Sequence, residues 1–221
     1  MGKLRNFITP LHIQSKRNYL ERMINKKVEC MEIAKKYAFD YWDGDRKYGY
    51  GGYKYIPGRW LPVVKKIIKT YNLNDNSRIL DLGCGKGFLL YEIKILLPKI
   101  KIIGVDISSY AIKHSPKKIR SSLIVHDIRK KIPFQNKYFD LVISTGVLHN
   151  IGIKDISFIL REITRVGKFS YIMTESYRSD KELFNLQCWA LTCKTFFHKK
   201  DWLYFFEISK FKGDYEFIYF S

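Results

Sequence analysis

The chain has 221 residues, with 40 Lys and Arg against 21 Asp and Glu, a net charge of +19, and 46% hydrophobic and 16% aromatic residues. A chain of this length buries a full core as one domain, and the apolar fraction excludes a disordered protein despite the charge. No run approaches the roughly 18 apolar residues of a membrane span, and the basic start lacks the apolar stretch of a secretion signal, so a cytoplasmic protein is expected. Cys30, Cys84, Cys188 and Cys193 form no CxxC pair and have no His at zinc spacing, so no metal site is expected. The surplus of cations is spread out: residues 1–77, 78–150 and 151–221 carry net charges of +9, +8 and +2. Dispersed lysine is more often a solvated face than a nucleic-acid footprint.

Residues 16–39 predict a helix, because Leu20, Met23, Ile24, Val28, Met31 and Ala34 recur at three- and four-residue spacing. Residues 41–60 mix glycine and aromatics without either period and predict a loop, with Gly51 and Gly52 among its hinges. A second helix is expected from Pro62 to Tyr71. From Arg78 the pattern becomes strand, turn, helix, repeated. Strands are expected over 79–82, 101–105, 122–125, 139–144 and 169–173, and helices over 88–97, 110–115 and 155–165. Short continuous apolar runs mark strands covered on both faces, hence a doubly wound parallel α/β sheet. In the tail, residues 180–192 predict a helix, and 202–207 and 215–220 predict a final strand pair. The division expected is an N-terminal helical and loop cap over 1–72 and a catalytic core over 73–221, forming one domain.

Asp81-Leu82-Gly83-Cys84-Gly85-Lys86-Gly87 lies where the first core strand meets its helix. Glycines allow a tight turn and close approach of a ligand to the backbone. The spacing is G-x-G-x-G and not the G-x-G-x-x-G of a dinucleotide site. Asp81 would repel a pyrophosphate and suits an ammonium group. Asp106 ends the second strand about twenty residues on, where a carboxylate meets ribose hydroxyls. A ligand with a ribose, an amine and no pyrophosphate describes S-adenosylmethionine.

These residues resemble motif I of the class I S-adenosylmethionine-dependent methyltransferases. Gly104-Val105-Asp106 is similar to the end of that family's second strand, and Asp127-Ile128 to the acidic motif after the third. Residues 139–144 with Val147-Leu148-His149-Asn150 are similar to the fourth-strand motif. The resemblance implies a Rossmann-like, seven-stranded sheet with the last strand antiparallel. It implies an enzyme binding S-adenosyl-L-methionine through Asp81, Gly83, Cys84, Gly85, Gly87, Asp106, Ile107, Asp127, Ile128 and Thr145, with Asp127 accepting from the adenine amino group.

The acceptor is not fixed by these motifs. Ser144-Thr145-Gly146-Val147 lacks the prolines of the nucleic-acid amine methylases, and no Cys directly follows a Pro as a cytosine-C5 enzyme requires. The loop before the core can close over a polar molecule and exclude water. That loop, and Glu175 to Arg178, resemble parts of a bacterial group of small methyltransferases. Expected substrate contacts are Asp43, Arg46, Tyr48, Tyr53, Asn150 and Arg178. Catalytic candidates are His149, as base for a hydroxyl acceptor, with Glu175 and Tyr50. The reading is O-methylation of a sugar, nucleotide-sugar or other metabolite by a monomer or homodimer. An RNA methyltransferase is the alternative, to be separated by whether Lys65, Lys66, Lys69, Lys117, Lys118, Lys130 and Lys131 surround the site mouth.

Overall fold

The structure is a computed structural model that describes residues 2–50 and 53–221. Gly51 and Gly52, expected as hinges, lie outside the described residues. The chain enters through four short helices, α1 (Thr9–His12), α2 (Tyr19–Ile24), α3 (Lys27–Ala34) and α4 (Phe39–Trp42), and a 3₁₀ turn at Arg46–Tyr48. The single helix expected over 16–39 is therefore divided. Asn18 caps α2 by accepting from the Glu21 N–H, and Lys26 between α2 and α3 takes a left-handed φ of 46° that no helix interior tolerates. Similarly, the stretch expected as pure loop contains α4 and the 3₁₀ turn.

α5 (Leu61–Tyr71) starts with proline in its first turn and ends at Asn72 in left-handed geometry. The core then runs β1 (Arg78–Leu82), α6 (Phe88–Leu96), β2 (Lys101–Asp106), α7 (Ser109–Lys113), α8 (Lys117–Arg120), β3 (Leu123–Val125) and β4 (Phe139–Thr145). It continues through a 3₁₀ turn at Leu148–Asn150, α9 (Ile153–Val166), β5 (Gly167–Glu175), α10 (Asp180–Trp189), α11 (Lys199–Ile208) and β6 (Asp214–Ile218). The sheet order is β3-β2-β1-β4-β5-β6, and every pairing is parallel.

Helices cover both faces. Along β1, Ile79 points into the layer formed with α5 and α6, while Leu80 and Leu82 point to the α9 side. On α9, Ile156, Ile159, Leu160 and Ile163 are fully buried at helical spacing. Burial of each contributes about 1.5–3 kcal/mol relative to exposure.

The tail departs from expectation. Residues 202–207 are part of α11, not a strand. Trp202 and Phe206, four residues apart, bury one helical face, and His198 with Asp201 forms a capping box at its start. The final strand β6 runs parallel to β5, with Ile172 opposite Tyr215. The expected seventh, antiparallel strand is not present among the described residues, which form six. A crossover through α10 and α11 delivers β6 in the same direction as β5, the right outcome for a strand-helix-strand connection.

The outer edge of β6 takes up the N-terminal segment. The Arg5 N–H donates to the Tyr215 carbonyl, and the Tyr215 N–H to the Lys3 carbonyl. Two carboxylates fasten it. Asp214 accepts from the Lys3 N–H and the Arg5 side chain. Glu216 accepts from the N–H groups of Phe7, Ile8 and Thr9, the Thr9 hydroxyl and the Tyr171 phenol.

Candidate active site

The order of strands reverses between β1 and β4, which opens a crevice at their carboxyl ends. A cavity of about 690 Å³ occupies it, roofed by the N-terminal helices and bounded on its far side by β5 and α10. Glycine is required in its floor. Gly83 has φ of +79°, and a Cβ there would lie 2.2 Å from Val147 Cγ2. At Gly85, with φ of +55°, a Cβ would lie 2.7 Å from the Trp42 ring.

Two buried acids stand behind this turn. Asp106 accepts from the Gly85 N–H and the Ser108 N–H, each at 2.8 Å, so it fixes the turn against the end of β2. Asp81 is 2% exposed, and its Oδ1 has no partner. Burial first, and the neighbouring Asp106 second, raise the Asp81 carboxyl to a pKa of about 7. An orphaned acceptor in the wall of a cavity, beside a turn held open by positive φ, fits a ligand carrying an ammonium group. Cys84, Ile107, Asp127, Ile128 and Thr145 also line the cavity. Ile107 is 50% exposed and apolar, a surface on which a flat ring can pack. Asp127 is held by Arg129 at 2.6 Å. Gly87 is the exception among the expected cofactor residues: it starts α6 and abuts Ile119 and Leu123, outside the cavity lining.

The roof is latched to the floor. Asp43 takes the Lys86 ammonium at 2.5 Å and the Tyr110 phenol at 2.8 Å, while Lys86 also reaches the Tyr53 carbonyl. Burial pushes the Asp43 pKa up, but these hydrogen bonds outweigh it and hold the carboxyl below its usual range. Trp42, whose ring covers Gly85, donates to the Ser108 hydroxyl and the Tyr37 carbonyl. Asp43, expected to meet substrate, is therefore engaged in closing the roof and does not line the cavity.

On the opposite wall the 3₁₀ turn after β4 meets the end of β5. His149 is 4% exposed, and its Nδ1 accepts from the Glu175 N–H at 3.3 Å. The proton of the neutral ring is then on Nε2, which faces Glu175 Oε2 at 3.4 Å. Burial lowers the His149 pKa to about 3, so this contact is polar and not an ion pair. Burial also raises Glu175 to about 7, opposed by the positive charge of Arg17. A histidine whose free lone pair is occupied by a backbone N–H is not placed to take a proton; the carboxyl beside it is.

The remaining expected residues divide. Tyr50 lines the cavity, but its hydroxyl accepts from the N–H groups of Leu191 and Thr192 and bonds the Thr192 hydroxyl. Burial raises its pKa further, so it is a support and not a base. Arg46, Tyr53 and Asn150 line the cavity, and Asn150 Oδ1 is buried without a partner. Tyr48 and Arg178 do not. Tyr48 packs with Cys30, Ala34 and Tyr41 under the roof, and Arg178 pairs with Glu182 and lies over the Tyr219 ring. Of the seven lysines singled out above, none lines the cavity.

Sequence reading overlooked Arg17, Trp42 and Trp189, all of which line the cavity. Arg17 lay inside the helix expected over 16–39, and Trp189 inside the helix expected over 180–192. Only the position of Trp42, beside Asp43, offered a signal.

Residues 73–216 match the methyltransferase-domain family. The chain is 38% identical over 92 residues to a malonyl-[acyl-carrier protein] O-methyltransferase of Legionella pneumophila, covering 40% of this chain and 32% of that one. It is 31% identical over 103 residues to a tRNA U34 carboxymethyltransferase of Nautilia profundicola, covering 43% and 33% respectively. The matches thus span about a third of these relatives' own length. The fold is shared with a geranyl diphosphate C-methyltransferase of Streptomyces coelicolor, solved with S-adenosyl-L-homocysteine. The TM-score is 0.54 at 12% identity, over 66% of this chain and 58% of that one. With two thirds of its length matched and the glycine turn and buried acids at the sheet's switch point, the chain belongs to the methyltransferase-domain family.

Proposed function

We propose that the enzyme methylates a hydroxyl of a small polar acceptor, such as a sugar, a nucleotide-sugar or another metabolite, with Glu175 as the base. The observation that supports this is Glu175 itself, a carboxyl with a pKa of about 7 in the wall of a roofed cavity of about 690 Å³. A base of that strength is half ionised at neutral pH, where proton abstraction is most effective. His149 positions it: its Nε2–H faces one carboxylate oxygen while its Nδ1 holds the Glu175 backbone. Asp81 and Asp106 are the proposed anchors of the cofactor's ammonium and ribose, with Ile107 and Ile128 flanking its ring and Asp127 at the adenine edge. The bound cofactor supplies an electrophilic methyl group on a sulfonium. What the chain adds is alignment of acceptor oxygen and methyl and exclusion of water by the roof.

The O-methyltransferase named among the relatives is consistent with an oxygen acceptor. RNA, suggested by the basic composition and by the tRNA-modifying relative, draws no support from the seven lysines. The test is the pH dependence of turnover. The native enzyme is expected to gain activity with a midpoint near pH 7 as Glu175 loses its proton. Glu175→Gln is expected to lower turnover by about 10²–10⁴-fold and to lose that midpoint, while S-adenosyl-L-homocysteine affinity stays within a few-fold. A retained profile in Glu175→Gln would remove Glu175 as the base.

A further inference from the structure

The guanidinium groups of Arg17, Arg22 and Arg46 lie 5.4, 4.4 and 5.9 Å from the centre of the Trp189 ring. Arg17 lies 5.3 Å from Phe220 as well. Among the described residues none of the three forms an ion pair with a carboxylate, although Arg5, Arg129, Arg165 and Arg178 all do. Three like charges around one indole repel each other, and a cation–π contact offsets only part of that cost.

Arg22 is occupied with structure. It donates to the carbonyls of Trp189, Arg46 and Gly49, and it does not line the cavity. Arg17 and Arg46 do line it. Among the described residues Arg46 donates through Nη1 alone, to the Tyr50 carbonyl, and Nε and Nη2 have no acceptor there. Arg17 is braced by the His12 and Ser15 carbonyls and has a buried Nε without a partner. The planar guanidinium fork matches carboxylate and phosphate oxygens.

The position of this cluster separates it from the cofactor site. Asp81, Asp106 and Asp127 stand on the β1-β2-β3 half of the sheet. Trp189 ends α10 and Phe220 follows β6, on the β5-β6 half, where Glu175 ends β5. Arg17 and Glu175 feel each other's charge.

We propose that the methyl acceptor carries an anionic oxygen group, a carboxylate or a phosphate, held by Arg17 and Arg46 over Trp189 at one end of the cavity. Its hydroxyl then reaches Glu175; this orientation rests on the hydroxyl-methylation reading, whereas the anion site does not.

The test is calorimetric titration of the whole chain with inorganic phosphate and, separately, with succinate, at ionic strength held constant with chloride. Each titration is run with and without saturating S-adenosyl-L-homocysteine. Saturable binding is expected, weakened on the order of tenfold or more in Arg17→Gln and in Arg46→Gln, and unchanged by the cofactor product. Arg46→Lys is expected to fall between, and unchanged S-adenosyl-L-homocysteine affinity in each variant shows that it is folded. Tighter phosphate assigns a phosphate ester and tighter succinate a carboxylate. Binding no stronger than chloride would overturn the proposal. So would loss of phosphate binding when S-adenosyl-L-homocysteine is present, since the arginines would then serve the cofactor's own carboxylate. Displacement of phosphate by polyuridylic acid would overturn it in favour of RNA. Glu175→Gln is expected to keep anion binding. If that variant keeps its turnover as well, the hydroxyl reading fails while the anion site stands.

Discussion

A carboxyl that is 2% exposed, near a second buried acid and short of one hydrogen bond, ionises only at a cost to the folded state. Asp81 is in that position, and the sign of the resulting pH effect is fixed. Its folded pKa of about 7, like that of Glu175, lies above its unfolded value. The protonated form is therefore the one the fold prefers, and stability is lost as pH rises through 7. His12 and His149, held neutral by burial, act in the opposite direction, chiefly as pH falls through their ordinary pKa of about 6.5. Between pH 6.5 and 8 the two carboxyls are each expected to remove about 0.8 kcal/mol, and the two histidines, half protonated in the unfolded chain at pH 6.5, to return about 0.4 kcal/mol each. Denaturant unfolding at the two pH values measures this, and Asp81→Asn is expected to remove most of the net loss over this interval. The same variant is expected to bind S-adenosyl-L-homocysteine roughly 10–100-fold more weakly, because an amide cannot match a carboxylate facing an ammonium group; unchanged affinity in calorimetry would remove Asp81 from the cofactor site. The histidine shows why residue type alone misled. His149 is a reasonable base in sequence, and only the backbone N–H on its Nδ1 reveals that its lone pair is taken.

Between elements, the decisive contact is the latch of Asp43 on Lys86 and Tyr110, which joins the N-terminal roof to the glycine turn. Lys86 is buried and Asp43 partly so, and removing one partner leaves the other charge poorly compensated. Asp43→Asn is therefore expected to expose the roof helices to limited proteolysis at a markedly higher rate, with the core from β1 to β6 still protected. Equal cleavage rates would show that the roof is held by its aromatic packing alone. The elements themselves were unequally legible. Strands β1 to β5 were readable because their apolar runs are short and local, and β1 and β4 are each followed by glycine. The division of α2 from α3 hinges on one left-handed residue, Lys26, which no periodicity reports. α11 was misread because Trp202, Phe205 and Phe206 favour strands by type, and the helix is fixed by the cap at His198 and the face Trp202 and Phe206 bury.

For the molecule as a whole, the net charge of +19 is spread along the chain and not gathered in one run. Titration of bulk RNA binding against salt is expected to show a shallow log–log slope, well short of the roughly −0.7 per phosphate that several simultaneous contacts would add up to. A steep slope would restore RNA as the acceptor. The half of the cavity proposed for the cofactor was legible because its residues come from one continuous stretch, from Asp81 to Thr145. The half proposed for the acceptor was not, because it is assembled over long separations. Glu216 holds Phe7, Ile8 and Thr9 from more than 200 residues away, and Arg17 follows that segment to the Trp189 ring. One consequence concerns how the two halves fail. A single cut after Thr9 would remove the Glu216 tie and leave Arg17's segment held by the His12 hydrogen bond to the Tyr219 carbonyl and by the contact of Arg17 with Phe220. Such a cut is expected to weaken the proposed acceptor site before the glycine turn and its acids.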